Sequence, residues 1–430
     1  MKPIRLIKTA PIAALFSLLG LVAPTEAQSP SPTIPPADPL TLQDGARVTS
    51  AAQWLTQRRP ELMHLFEENM FGKTLAGKPD KLRFILREEK KDARNGTATR
   101  LRIGVLFEGT ETGRQMELLV YLPNAVKGPV PLFLGLNFDG NFTTTAEKDL
   151  PVPTHYVLGL FLKTKLPDHR ATEALRGKDV TMWPYDAILA RGYGIATACY
   201  GEIEPDQPDQ WWHGPRVFGP PTAGDSWGEI GAWSWALSRA LDYLETNPRV
   251  DPRRVAVFGF SRLGKTAMWA GAQDQRFAAV ISMESGKGGV SLMKRLVGEP
   301  VSHLAGPDIG FWFAPNFAKY SDNEAALPID GSDLAALIAP RPLFILSGTK
   351  SARSDPEGEF LGGLEASPVY NLLGAEGMGV STWPPAQKLI NSNVGYYLRP
   401  GSHNVTPEDW SAILDWSDSH LKPLPKSPPS

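Results

Sequence analysis

Apolar and polar positions follow two periods along this chain, and the way they take turns predicts its fold class. Residues 51–71 are amphipathic at helical spacing, and Pro60 predicts a helix start beside it, because a first turn tolerates proline. Residues 101–107 and 116–122 alternate or run apolar over strand lengths, separated by a polar turn holding Gly109 and Gly113. Further apolar runs of strand length occupy 130–136, 193–200, 254–260, 278–283, 342–347 and 394–398. Helical patterns over 227–245, 263–273 and 407–421 separate several of them. Strands alternating with helices predict an α/β fold, a mainly parallel sheet covered on both faces as a three-layer sandwich. No internal repeat and no second linker interrupts the stretch from about 45 to 422, so one domain is expected there.

The ends read differently. Lys2, Arg5 and Lys8 precede an uncharged apolar stretch over 10–22, and Thr25-Glu26-Ala27 offers small residues at −3 and −1 of a cut before Gln28. That layout predicts a secretory signal peptide over 1–27, with an apolar run too short for a comfortable membrane span. Periplasmic or secreted localisation follows, without stable membrane insertion after cleavage. Residues 28–44 are Ser/Pro-rich and read as an extended tether, and 423–430 as a tail.

Composition narrows the function classes. The 430 residues are 42% hydrophobic, which excludes extended disorder. Basic and acidic residues number 44 and 46, so no basic excess exists to draw in nucleic acid. The single Cys, Cys199, excludes an intrachain disulfide and reads as a small buried hydrophobe. Twelve Trp suggest stacked core aromatics or platforms for sugars. No His/Cys/Asp/Glu spacing suits zinc, and no phosphate loop or G-x-G-x-x-G opens a helix, so neither a metal nor an organic cofactor is expected.

The most informative stretch is the apolar run 254–260, which leads through Gly259-Phe260-Ser261 directly into a helical pattern. This is the strand–turn–helix setting of a nucleophile elbow, where the residue two before the serine must be small and the first helix amides can favour negative charge. It assigns the sheet to an α/β-hydrolase architecture. Leu263 stands where the common G-x-S-x-G pattern has its second Gly, and Gly264 follows one residue later. On the motif alone, a serine capping a helix is the competing reading. A nucleophilic serine needs a base and an orienting acid, in the chain order Ser, acid, His. His403, in Gly401-Ser402-His403 just past the last predicted strand, is the expected base, whereas His420 lies in the terminal helix and His303 in a loop without a preceding strand. The acid stays open between Glu284, which closes the strand after the elbow helix, and Asp355, Glu357 and Glu359, read as one turn after the next strand.

Taken together, these residues resemble the glucuronoyl esterases, carbohydrate esterase family 15, and especially their bacterial branch. The resemblance runs from about Leu134 to Trp410. It rests on Asn137-Phe138-Asp139-Gly140-Asn141, the G-x-S-R-x-G-K elbow at 259–265, Glu284-Ser285-Gly286, Asp355-Pro356-Glu357-Gly358-Glu359-Phe360 and Gly401-Ser402-His403. It implies a serine esterase that hydrolyses esters of glucuronic or 4-O-methyl-glucuronic acid, as in lignin–carbohydrate linkages of glucuronoxylan, through an acyl-enzyme. It implies Ser261 as nucleophile, His403 as base, Glu284 as acid and Arg262 as an oxyanion group. Lys265 and Glu299 are implied sugar contacts, and Trp312 reads as either an aromatic wall of the pocket or a core residue. Two departures bear on the substrate. Arg353 stands where the family usually has a Trp against the uronate, with Ser351 where some members have an alternative acid, and Phe142 stands where a His is frequent. The expected partner is therefore a glucuronoxylan or lignin–carbohydrate ester, met by a monomer. An exported acetyl-xylan esterase with the same triad is the nearest alternative, and a non-catalytic carbohydrate-binding protein a more distant one.

Overall fold

The structure, a computed structural model, describes residues 38–159, 166–219 and 223–422. The expected leader, the tether up to residue 37 and the tail at 423–430 lie outside the described residues. Residues 38–44 depart from the tether reading. Leu40 is buried, Thr41 bridges to Arg47, and the Pro39 carbonyl accepts 3.0 Å from Arg58 Nε. An apolar side chain at position 40 has a core to enter, and that anchors the segment.

Nine strands form one sheet in the order β1-β2-β3-β5-β4-β6-β7-β8-β9. They are β1 Arg83–Ala93, β2 Ala98–Leu106, β3 Gln115–Pro123, β4 Val130–Asn137, β5 Gly194–Cys199, β6 Val250–Phe260, β7 Ala279–Met283, β8 Leu343–Gly348 and β9 Val394–Arg399. The first three and the β3–β5 pair are antiparallel, and every pairing from β5 through β4 to β9 is parallel. The α/β-hydrolase expectation is met.

Pleat alternation decides which helices cover which face. Phe258 and Phe133 meet Trp410 of the closing helix Pro407–His420, and Phe344 meets Trp416 of the same helix. The neighbouring positions point the other way. A Cβ on Gly259 would run into the Leu263 carbonyl of the elbow helix Arg262–Gln273, and Ile345 lies against Gly363 of the helix Pro356–Leu372. Helices therefore lie on both faces. Cys199, at the end of β5, is fully buried with Sγ 3.7 Å from the Phe138 carbonyl, and burial pushes its thiol up.

Two elements differ from the sequence expectation. β1 carries Arg-Glu-Glu-Lys-Lys-Asp over 87–92 and does not read as a strand, yet it forms the sheet edge, with irregular register against β2. Charged side chains suit an edge strand, which keeps water along one side. Pro60 stands in the first turn of the α-helical segment Arg59–Phe66, as expected, and that segment continues the helical run 51–71. The Arg59 amide reaches back five residues to the Trp54 carbonyl, a π-turn that precedes the ring. The segment 355–359 is not a turn: Asp355 caps the helix Pro356–Leu372, its Oδ1 accepting from the Gly358 amide at 3.1 Å.

Candidate active site

The parallel half of the sheet delivers its strand ends to one cavity of about 620 Å³. β6 ends at Phe260, and Ser261 follows with φ +59°, a conformation that costs a non-glycine residue energy and recurs at functional turns. Its amide donates to the Met283 carbonyl at 2.9 Å, which ties the turn to the end of β7. Ser261 stands at the cap position of the elbow helix, but its side chain makes no capping hydrogen bond. The helix-cap reading of this serine therefore fails, and Oγ faces the cavity. Arg262 and Leu263 open the helix, where amides have no intrahelical acceptor and favour negative charge.

Glu284 follows β7 with φ +46° and is fully buried. Its Oε2 lies 2.8 Å from His403 Nδ1. Of the four acids left open by the sequence, it alone meets His403. Asp355 is engaged in its helix cap and pairs with Arg295, and Glu357 faces Arg295 as well. Glu359 is buried, with Oε1 accepting from the Gly286 amide at 2.9 Å and Oε2 from Ser347 Oγ at 2.6 Å. His403 lies in the loop after β9, its ring against Phe260 at 4.5 Å between centroids. Ser351 Oγ is a second neighbour of Nδ1, at 3.1 Å. Ser261 and His403 line the same cavity without a hydrogen bond between them, a looseness common before substrate arrives.

Arg262, Lys265, Glu299, Trp312 and Arg353 line the cavity too, together with Lys350 and His303. The Arg262 guanidinium lies over the Trp312 ring, 4.2 Å from its centroid, and pairs with Asp206. Asp206 also accepts from Trp312 Nε1 at 2.7 Å and from the Tyr200 hydroxyl at 2.8 Å. Trp312 is thus both a cavity wall and part of the support for Arg262. Lys265 is buried, Nζ donating to the Ser285 carbonyl at 2.6 Å, and desolvation lowers its pKa. Burial alone would raise Glu299, but Lys265, Arg353 and His303 outweigh it and hold the carboxyl below its ordinary value. Arg353 is largely exposed at the mouth and donates to Glu299 Oε1, with His303 Nε2 3.0 Å from the same guanidinium nitrogen. Phe142 takes no part: it is buried beneath Arg176, away from the residues that line the cavity. Asp206, Lys350 and Arg399, the last treated below, were not singled out from the sequence. Their roles depend on contacts across strand ends. Among the described residues, no group of His, Cys, Asp and Glu is placed to hold a metal ion.

Glu359 gives a pH test. Its carboxyl is pushed up to about 8, chiefly by burial, with Glu284 adding to the effect. An ordinary glutamate titrates near 4.3. The fold therefore favours the neutral form, and that contribution is full below about pH 4.3 and is lost as pH rises through about 8. Glu359→Gln is expected to match wild type at pH 5 and to exceed it at pH 9 by on the order of a few kcal/mol in thermal or urea unfolding. A difference between the two proteins that does not change with pH would refute this.

Comparison with known proteins gives a consistent set of likenesses. The family described as "Glucuronyl esterase, fungi" matches residues 221–374. Carbohydrate esterase MZ0003, from an unknown prokaryotic organism, is 41% identical over 401 residues, covering 92% of this chain and 91% of its own. The solved glucuronoyl esterase from Solibacter usitatus superposes with a TM-score of 0.85 at 38% identity, covering 91% of this chain and 99% of that one. A 4-O-methyl-glucuronoyl methylesterase from Podospora anserina is 29% identical over 320 residues, 72% of this chain and 54% of its own.

Proposed function

Because this chain belongs to the glucuronoyl esterases of carbohydrate esterase family 15 and is a carboxylic ester hydrolase, we propose that it cleaves esters of glucuronic acid through an acyl-enzyme on Ser261. The observation that carries the reading is the 2.8 Å contact of Glu284 with His403 Nδ1, in a cavity shared with the elbow serine. With Nδ1–H donated to Glu284, the other ring nitrogen, Nε2, is the basic one.

His403 takes the Ser261 proton as Oγ attacks the ester carbonyl. Glu284 orients the ring and stabilises the imidazolium. Charge developing on the carbonyl oxygen is met by the opening amides of the elbow helix and by Arg262, whose guanidinium Asp206 and Trp312 hold in place. The alcohol leaves with the proton from His403. Water then attacks the glucuronoyl ester of Ser261, deprotonated by His403, and releases the acid and free Ser261. Lys265 and Glu299 contact the sugar hydroxyls in this reading. Arg353 replaces the flat aromatic contact with a cation at the mouth. The natural substrate would be a 4-O-methyl-glucuronoyl ester of glucuronoxylan, including its links to lignin alcohols, met after export by a monomer.

The test compares kcat/KM for benzyl glucuronate with that for a simple acetyl ester. A preference for the glucuronate ester of at least about 10²-fold is expected, because polar groups placed for sugar hydroxyls lose their partners with an acetyl group. A large preference for the acetyl ester would overturn the substrate assignment. Loss of turnover on both, with xylan bound equally by wild type and Ser261→Ala, would favour a binding protein. Arg353→Ala is expected to raise KM for the glucuronate ester, and unchanged kinetics would remove Arg353 from the substrate contacts.

A further inference from the structure

We propose that Arg399, the last residue of β9, is a positioning residue that joins the acid to the loop carrying the base. It rests on the Ser261–Glu284–His403 reading above. The side chain is buried. Its Nη2 lies 2.5 Å from Glu284 Oε1, the carboxylate oxygen that does not face His403. The same guanidinium donates to the Pro400 carbonyl at 3.3 Å, the Asn404 carbonyl at 2.7 Å and the Ser402 carbonyl. These carbonyls flank His403 on both sides. Nη2 reaches Glu284 and the Ser402 and Asn404 carbonyls and Nη1 the Pro400 carbonyl, so one planar guanidinium ties the acid to the base's loop. The Asn404 amide adds a longer contact to Glu284 Oε1, at 3.4 Å.

Arg399 also affects charge. Asp409 of the closing helix lies 3.3 Å from Arg399 Nε. Glu359, from the helix after β8, and Asp409 are the acids nearby, both raised chiefly by burial, with Glu284 adding to the effect. Lys265 of the elbow helix and Lys350 of the loop after β8 line the cavity as cations, with uncharged Ser351 beside His403 Nδ1. Among these groups, Arg399 is the cation in direct contact with the Glu284 carboxylate. Without it the carboxylate would hold the imidazolium more tightly. The acid limb of the activity profile would then move to higher pH.

Two variants separate position from charge. Arg399→Gln removes the cation, and Arg399→Lys keeps it but loses the planar guanidinium. Both are expected to lower kcat about 10- to 100-fold with little change in KM, the size of effect that a small misplacement of a catalytic group produces. Only Arg399→Gln is expected to raise the pH midpoint of the acid limb of kcat/KM. Rates are taken per active serine, titrated with a fluorophosphonate, so a fall in the folded fraction does not count. The assays use whichever ester the wild type turns over, so failure of the glucuronate assignment leaves this test intact, whereas a fully active Ser261→Ala would overturn the triad reading itself. Should Arg399→Gln not fold, the Arg399→Gln/Asp409→Asn pair removes both buried charges and is measured in its place. Equal kcat per active serine in the variants and wild type, or an acid limb that stays put in the Gln variant, would overturn the proposal.

Discussion

Ser261→Ala is expected to lower kcat by about 10⁴- to 10⁶-fold while leaving the fold and ester binding in place. The residual rate would come from the oxyanion groups and from binding, which survive the loss of the nucleophile. The structure makes the variant a clean one. Ser261 Oγ makes no capping hydrogen bond to the elbow helix, so its removal strands no amide. Alanine must adopt the same positive φ, and it bears that strain about as serine does. Unfolding midpoints within about 0.5 kcal/mol of wild type are expected alongside the lost rate. A variant that keeps a tenth of the wild-type rate would rule out an acyl-enzyme on this residue.

Glu284→Gln is expected to cost about 10³- to 10⁴-fold in kcat, nearly as much. An amide of the same shape fills the space. However, it offers an N–H where the imidazole needs an acceptor, or else a neutral oxygen that stabilises the imidazolium poorly. The ring can then settle in the wrong tautomer. Ser351 Oγ, 3.1 Å from Nδ1, is the remaining neighbour and is a weaker partner than a carboxylate. Stability should fall as well, because Arg399 loses one of its two acids and keeps Asp409 alone. Single-turnover measurements with the Ser261 ester trapped by acid quench would show slow acylation. Rapid acylation in the variant would move the acid's role to another residue.

The parallel strands were legible because each is an apolar run of the right length, and the elbow because Gly-x-Ser followed such a run into a helix. β1 was not legible. An edge strand leaves much of its surface to water, so the sequence Arg-Glu-Glu-Lys-Lys-Asp satisfies it as well as an apolar run would. Pro60 marks the start of the α-helix Arg59–Phe66, and a π-turn upstream joins it to the helical residues before it. The acid was ambiguous for a different reason. Glu284, Asp355, Glu357 and Glu359 all follow strands at the same sheet edge, and only their partners distinguish them: an imidazole, a helix amide, an arginine and a strand hydroxyl. Asp206 and Arg399 stayed hidden because their contacts with Arg262 and Glu284 span 56 and 115 residues of chain. The Trp count misled in part. Most of the twelve are core residues such as Trp54, Trp233 and Trp269, and among the described residues Trp312 is the one that lines the cavity beside Ser261.

The buried thiol of Cys199 makes the protein its own stopwatch. It is the last residue of β5, paired with Asn137 of β4, sealed from solvent and held protonated by burial. An alkylating reagent in the surrounding water can reach it only while the strand end around it is open, and each opening caught in this way leaves a permanent mass tag. With no second thiol in the chain, the tagging rate counts openings at this end of β5.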